Sequence, residues 1–435
     1  MEKINIWIKI WGNYIGGGMR NQDIVWKIKH QISLFSGFLS EGLAKPERKF
    51  IHCMLYGIQA SKDIKLSSIT RALGEKISFI KTENRLSRHI NKNDIADFIN
   101  NKLSEKGSKW VEEDTILALD LSDISKEYSR RQEKIAQVRD GSSGLIKEGW
   151  HLIEVIGANI REEKVLPLYS ELYSSDEVMS ENAMILKAID RVNFNAGNKG
   201  IWVLDRGGDR KRLYEGLIKR GTKFVIRLTG KRALRKEDDT LTISRDMALK
   251  CPCEYKTKIS IRGEVFKEKI LYIGWVKARF SFNKIPVTMV VIKGYGEFPL
   301  MLITNLEVHH FTDALHILEI YLTRWKCEES WRFIKQGYKL EDIRVLKYTG
   351  LRNTAALLTA VFFFISVILG IGLKLRILLK KIYEKAKRFF EIPPFKQYAI
   401  CDGIYSILFG KNLSPPVYKN KPIAQMVLPL DIFTP

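Results

Sequence analysis

Residues 355–373 form a run of 19 residues without a charged side chain, AALLTAVFFFISVILGIGL. A segment of this length and composition either spans a membrane or forms a helix buried on all sides of a large core. A chain of 435 residues is long enough to build such a core. We interpret the run as a buried helix, because a membrane anchor leaves the polar motif described below unexplained. A membrane protein anchored here remains the alternative.

The charge balance indicates the kind of partner. The chain has 72 Lys and Arg residues against 49 Asp and Glu residues, a formal net charge of +23. Such an excess favours a polyanion, either nucleic acid or an anionic membrane surface. Hydrophobic residues make up 45% and charged residues 28%, as in ordinary globular proteins. This composition excludes a disordered or collagen-like chain.

The cysteines and the amino terminus predict a cytoplasmic protein with reduced thiols. There are 5 scattered cysteines, an odd number that argues against a disulfide framework. The pair Cys251 and Cys253 has no histidine pair at zinc-ligand spacing nearby, so we interpret it as a reduced pair in a loop. The first residues alternate apolar and polar side chains, which is unlike a secretory signal.

Residues 1–110 are predicted to form a basic helical domain. Residues 66–77 and 81–90 have the pattern of two short helices around a turn, with Ser67 or Ser68 as the first N-cap and Thr82 as the second. Arg85 and Arg88 would project from the second helix. The pair is either a helical DNA-binding module or an ordinary amphipathic hairpin with a solvated basic face.

An α/β core is predicted to follow in residues 111–222 and 306–372. Short apolar runs predict three strands, a helix capped by Ser180 and a fourth strand. Two of these strands end on a carboxylate, Asp120 and Asp205. Alternating runs predict a β-rich insertion in residues 223–305, and residues 373–435 are predicted to be a basic helical region.

A polar motif lies in the helical segment after the insertion. Tyr321, Arg324, Glu328 and Lys335 have offsets of 3, 7 and 14 residues, which fall on one face of a helix. The stripe is either an ion-pair face exposed to solvent or a carboxylate for a metal flanked by phosphate donors. Together with Asp120 and Asp205 it supplies three carboxylates, which suit Mg²⁺. Two such ions can activate a nucleophile and stabilise a leaving oxygen in phosphodiester transfer.

The chain resembles the DDE transposases of the bacterial insertion-sequence family 4 type, whose Tyr-x2-Arg-x3-Glu-x6-Lys signature stands intact here. The resemblance implies a ribonuclease H-like mixed sheet flanked by helices. It implies that Asp120, Asp205 and Glu328 bind two Mg²⁺ or Mn²⁺ ions. It further implies that Tyr321, Arg324 and Lys335 contact the backbone of double-stranded DNA.

By the same resemblance the protein would cleave transposon ends and transfer the strand into target DNA, by a cut-and-paste route and as a homodimer, near the bacterial nucleoid. Phe298 and Trp275 were weighed as base-flipping aromatics, and we interpret both as core residues. Asp120 is preferred to Asp123 because it directly ends the apolar run, and Glu328 to Glu329 because of its spacing. A nuclease without strand transfer and a non-catalytic DNA-binding derivative remain alternatives.

Overall fold

The computed structural model describes most of the chain between residues 21 and 409. The described residues are 21–126, 129, 131–139, 144–162, 164–176, 179–261, 267–370, 372–386 and 395–409. The first twenty residues, on which the prediction about a secretory signal rests, lie outside this set. So does much of the predicted carboxyl-terminal region, residues 387–394 and 410–435.

Five helices open the described chain, as the sequence predicts. They are α1 (Asn21–Leu39), α2 (Lys45–Ser61), α3 (Leu66–Leu73), α4 (Phe79–Lys92) and α5 (Ala96–Gly107). The predicted caps are wrong, because α3 follows Lys65 and α4 follows Ser78. Thr82 lies inside α4, where its hydroxyl donates to the carboxylate of Glu75 at 3.1 Å.

The central part of the chain alternates strands and helices. Its elements are β1 (Ile116–Ser125), β2 (Ala136–Arg139), β3 (Ile146–Ala158), β4 (Val165–Tyr173), α6 (Glu181–Ala196), β5 (Ile201–Leu204), α7 (Lys211–Lys219) and β6 (Lys223–Arg227). Ser180 caps α6 as predicted, accepting from the backbone N–H of Ala183. The prediction that the first strand ends at Asp120 is wrong, because antiparallel pairing with β3 carries β1 on to Ser125.

The strand order of this part is β4-β3-β1-β5-β6. The first three strands are antiparallel to their neighbours, whereas β1, β5 and β6 are parallel. This order, with helices connecting β4 to β5 and β5 to β6, is the arrangement of a ribonuclease H-like sheet. The predicted fold class is confirmed.

The β-rich segment extends the same sheet. It contains β7 (Ala233–Arg235), β8 (Leu241–Ile243), α8 (Ser244–Lys250), β9 (Tyr255–Ile261), β10 (Lys267–Phe280), β11 (Pro286–Lys293) and β12 (Leu300–Thr304). Because β12 pairs with β6, the described residues form one sheet of twelve strands.

The remaining helices cover the sheet. They are α9 (Phe311–Thr323), α10 (Trp325–Gly337), α11 (Tyr348–Ser366), α12 (Gly372–Ala386) and α13 (Gln397–Phe409). Helix α9 packs on β5, β6 and β10 to β12, and α10 packs on β1 and β3.

Helix α11 contains most of the uncharged run. It is long and apolar enough to cross a membrane by length and composition, yet 83% of its most apolar window is buried inside the protein. It packs between β4 and helices α2, α4 and α5. The prediction of a buried helix is confirmed.

Candidate active site

Asp120 and Asp205 lie at the same level on neighbouring parallel strands. Ala118 of β1 pairs with Val203 of β5, and each aspartate follows two residues later. Adjacent strands are about 4.8 Å apart, so the two carboxylates share one edge of the sheet. Asp205 also closes the turn after β5, where its Oδ1 accepts from the N–H of Gly207 at 2.7 Å.

Arg324 links Glu328 to the first aspartate. It lies between α9 and α10, and its Nη2 is 2.5 Å from Oε1 of Glu328 in the first turn of α10. Its Nη1 is 3.8 Å from Oδ1 of Asp120. The guanidinium is 12% exposed. One buried cation therefore bridges a sheet acid and a helix acid.

The charges at this site act strongly on each other. Burial raises the pKa of Asp120 to about 7, Arg324 opposes the rise, and the carboxylates of Asp205 and Glu328 add to it. Burial alone would lower the pKa of Arg324, but Asp120, Tyr321 and Glu328 raise it above its usual range. The three predicted acids thus lie within electrostatic reach of one another and share a single guanidinium.

The acids fit a divalent cation in chemistry more than in closeness. Among the residues that the structure describes, no group of three or more His, Cys, Asp or Glu side chains converges tightly enough to hold a metal ion. Carboxylate oxygens are nevertheless the ligands that Mg²⁺ and Mn²⁺ prefer. The repulsion that raises the pKa of Asp120 is the kind a cation relieves.

The predicted single polar face is wrong for Tyr321. The helix is interrupted at Arg324, and the Tyr321 ring is packed down at 4% exposure. Its hydroxyl lies 3.4 Å from Nη1 of Arg227. Arg227 ends β6, one residue beyond the pairing of Leu204 with Ile226, and therefore lies beside Asp205. Sequence reasoning missed Arg227, although it follows an apolar run just as Asp205 does.

Lys335 is separated from this group. It lies in the last turn of α10, and its Nζ is 3.2 Å from Oε1 of Glu341. A phosphate approaching Lys335 must compete with this carboxylate.

The loop between β11 and β12 reaches the same edge of the sheet. Burial raises the pKa of Tyr295 in this loop, as does nearby Tyr321, whereas Arg227 and Arg324 lower it. Phe298 is 51% exposed, with the guanidinium of Arg245 at 4.2 Å from its ring centroid. The interpretation of Phe298 as a core residue is wrong. Trp275 is partly buried and stacks on Tyr255 at 5.5 Å.

Comparison with known proteins gives one family match. Residues 169–364 match the family model of a transposase DDE domain. The matched range includes Asp205 and Glu328 and begins after Asp120. Among curated proteins, no match was found.

A solved structure is also similar in outline. The cryo-EM structure of a piggyBac transposase synaptic complex with hairpin DNA aligns with 92% of this chain and 84% of that chain, at 9% identity and a TM-score of 0.40.

The fold and the acids at its edge define a class, an α/β protein with a ribonuclease H-like sheet and a carboxylate site between sheet and helix. Within that class, the family match supports a DDE transposase.

Proposed function

We propose that this chain is a DNA strand-transferase of the insertion-sequence family 4 type, which cleaves transposon ends and joins them to target DNA by a cut-and-paste route. The observation that carries the proposal is the bridge from Glu328 through Arg324 to Asp120, with Asp205 on the adjacent strand. It unites three acids that are far apart in the sequence. The net charge of +23 suits double-stranded DNA.

Asp120, Asp205 and Glu328 are the residues that would hold two Mg²⁺ or Mn²⁺ ions. When bound, the ions would activate the attacking oxygen and stabilise the leaving one. Arg324 holds the Glu328 carboxylate toward the sheet, and its planar fork can also receive a phosphate. Tyr321 and Arg227 form the wall beside Asp205, and Lys335 would bind the DNA backbone once Glu341 gives way. We place the enzyme in the cytoplasm, as a homodimer on DNA.

The proposal is tested by incubating the purified full chain with DNA that carries the end of its flanking element. We expect cleavage and joined product with Mg²⁺, and a loss of both in Glu328→Ala. The matched control is Glu329→Gln, since Glu329 pairs with Arg332 and not with Arg324. Cleavage that persists in Glu328→Ala would contradict the assignment. Cleavage without joining would favour a nuclease, and end binding without cleavage a DNA-binding derivative.

Phe298 is expected to stack on a DNA base near the cleaved end. An exposed aromatic ring on a loop beside the acids can do so, and base stacking contributes about 1–3 kcal/mol. Phe298→Ala should therefore weaken end binding about 10-fold and reduce the fluorescence change of 2-aminopurine placed at the terminal bases. Tyr272→Ala is the control, an exposed aromatic on β10. Equal binding and fluorescence in wild type and Phe298→Ala would exclude this role.

A further inference from the structure

A fourth acid, Glu154, lies next to Asp120 and has no part in the site described so far. In the antiparallel pair of β1 and β3, Glu154 is the direct partner of Asp120. Directly paired residues on neighbouring strands point to the same face of a sheet. The side chain of Glu154 is completely buried. An acid therefore lies under α10, on the face that carries the proposed site.

Glu154 also contacts the start of α10. The Sγ of Cys327 lies 3.9 Å from Oε2 of Glu154 and 3.9 Å from the carbonyl oxygen of Ala118. Cys327 directly precedes Glu328 and is itself fully buried. The carboxyl group thus connects the strand of Asp120 with the helix of Glu328.

The other oxygen of Glu154 makes no hydrogen bond within the described part of the chain. Buried acids in structural roles are normally paired, because an unsatisfied buried oxygen is destabilising. Elsewhere in this protein the rule holds: buried Glu171 is 2.8 Å from Nζ of Lys187 and 2.9 Å from Nη2 of Arg352. The charged group that acts on Glu154 is instead the carboxylate of Asp120. This arrangement lacks a cation on the side of Asp120.

We propose that Glu154 is a positioning residue of the metal site, which fixes Asp120 relative to the start of α10 and adds negative charge behind it. The inference rests on the proposed function. Glu154 acts through Asp120 and Cys327 and does not touch DNA. Residues in such outer positions typically change metal affinity by about 10–100-fold.

The test measures Mn²⁺ binding to the full chain without DNA, by calorimetry and by electron paramagnetic resonance. We expect Glu154→Gln to weaken the Asp120-dependent Mn²⁺ affinity about 10-fold, whereas Glu148→Gln, an exposed change on the same strand, leaves it unchanged. In cleavage assays the Mg²⁺ concentration at half-maximal rate should rise about 10-fold, with a smaller change in the rate at saturation. A purely structural role would not separate these two quantities.

Two further variants divide the proposal into its parts. Cys327→Ala removes the contact to α10 and keeps the charge, so we expect a loss of about threefold. Glu154→Asp keeps the charge but withdraws it, and should also weaken binding if Glu154→Gln fails to fold. Unchanged Mn²⁺ affinity in folded Glu154→Gln, or in Glu154→Asp where the former does not fold, overturns the inference and leaves the proposed function standing. Wild type without Asp120-dependent binding overturns both.

Discussion

Asp120→Asn is expected to lower metal-dependent cleavage by about 10³-fold or more and, at the same time, to stabilise the metal-free protein above pH 7. The first effect follows because the variant loses a charged ligand on the central strand. The second follows from burial, which with Asp205 and Glu328 raises the pKa of Asp120 from 3.8 to about 7. The same carboxylate would therefore serve catalysis and oppose folding.

The sign of the pH dependence is fixed by the direction of the shift. Between pH 3.8 and about 7 the folded protein holds a proton on Asp120 that the unfolded chain has released, so stability falls as the pH rises through this window. The full penalty, at most about 4 kcal/mol, is present above pH 7. Urea unfolding in the presence of a chelator should give equal free energies for wild type and Asp120→Asn near pH 4. At pH 8 the variant should be more stable.

Added Mg²⁺ and a second variant serve as controls. Mg²⁺ should stabilise the wild type at pH 8 and have little effect on Asp120→Asn, because binding to the folded state alone raises stability. Asp123→Asn should retain cleavage, since three residues along a strand place Asp123 on the opposite face. If Asp120→Asn is less stable than wild type at pH 8, the electrostatic account of this position is wrong.

The sequence was informative where the signal is local. Apolar runs that stop at Asp120 and Asp205 indicated where acids meet the edge of a sheet, because parallel strands place their carboxyl ends together. The cap at Ser180 and the buried face of α6 follow from side-chain chemistry within one helical turn. These features need no knowledge of distant contacts.

Contacts between distant segments could not be predicted in this way. Arg227 and Glu154 join the site only through strand register, which fixes neighbours 77 or more residues away only once the whole sheet has formed. Likewise, the polar face predicted around Tyr321 assumed an uninterrupted helix, and the interruption at Arg324 redirects it. Phe298 resembles a core residue in sequence, and only the loop geometry shows that it is exposed.

The buried helix α11 shows how a polar residue can serve a distant element. Asn353, within its first two turns, accepts from the N–H of Ile95 at 2.8 Å and donates to the carbonyl oxygens of Ile90 and Asn93 at 2.8 and 2.7 Å. One amide thereby satisfies the backbone where α4 ends and α5 begins. The amino-terminal helices are therefore attached to the core by directional bonds as well as by apolar packing.

Arg324→Ala is expected to have the second large effect, a loss of cleavage of about 10³-fold together with a destabilised metal-free protein. Arg324 is the cation that links Asp120 and Glu328, and removing one partner of a buried ion pair typically costs about 3–5 kcal/mol. Arg324→Lys should lose about 10²-fold, because a single ammonium cannot present two separate nitrogens to two carboxylates.

The response to metal separates this account from simple misfolding. Without the guanidinium, the three acids have only the divalent ion as counter-charge, so Mg²⁺ should raise the melting temperature of Arg324→Ala more than that of wild type. Arg332→Ala is the matched control, since Arg332 pairs with Glu329 in the same helix and should leave cleavage intact. A variant that keeps both its cleavage rate and its Mg²⁺ response would show that Arg324 neither holds Glu328 nor shields Asp120. If only the Mg²⁺ response grows while cleavage is lost, the guanidinium is needed for the reaction itself, beyond its part in balancing charge.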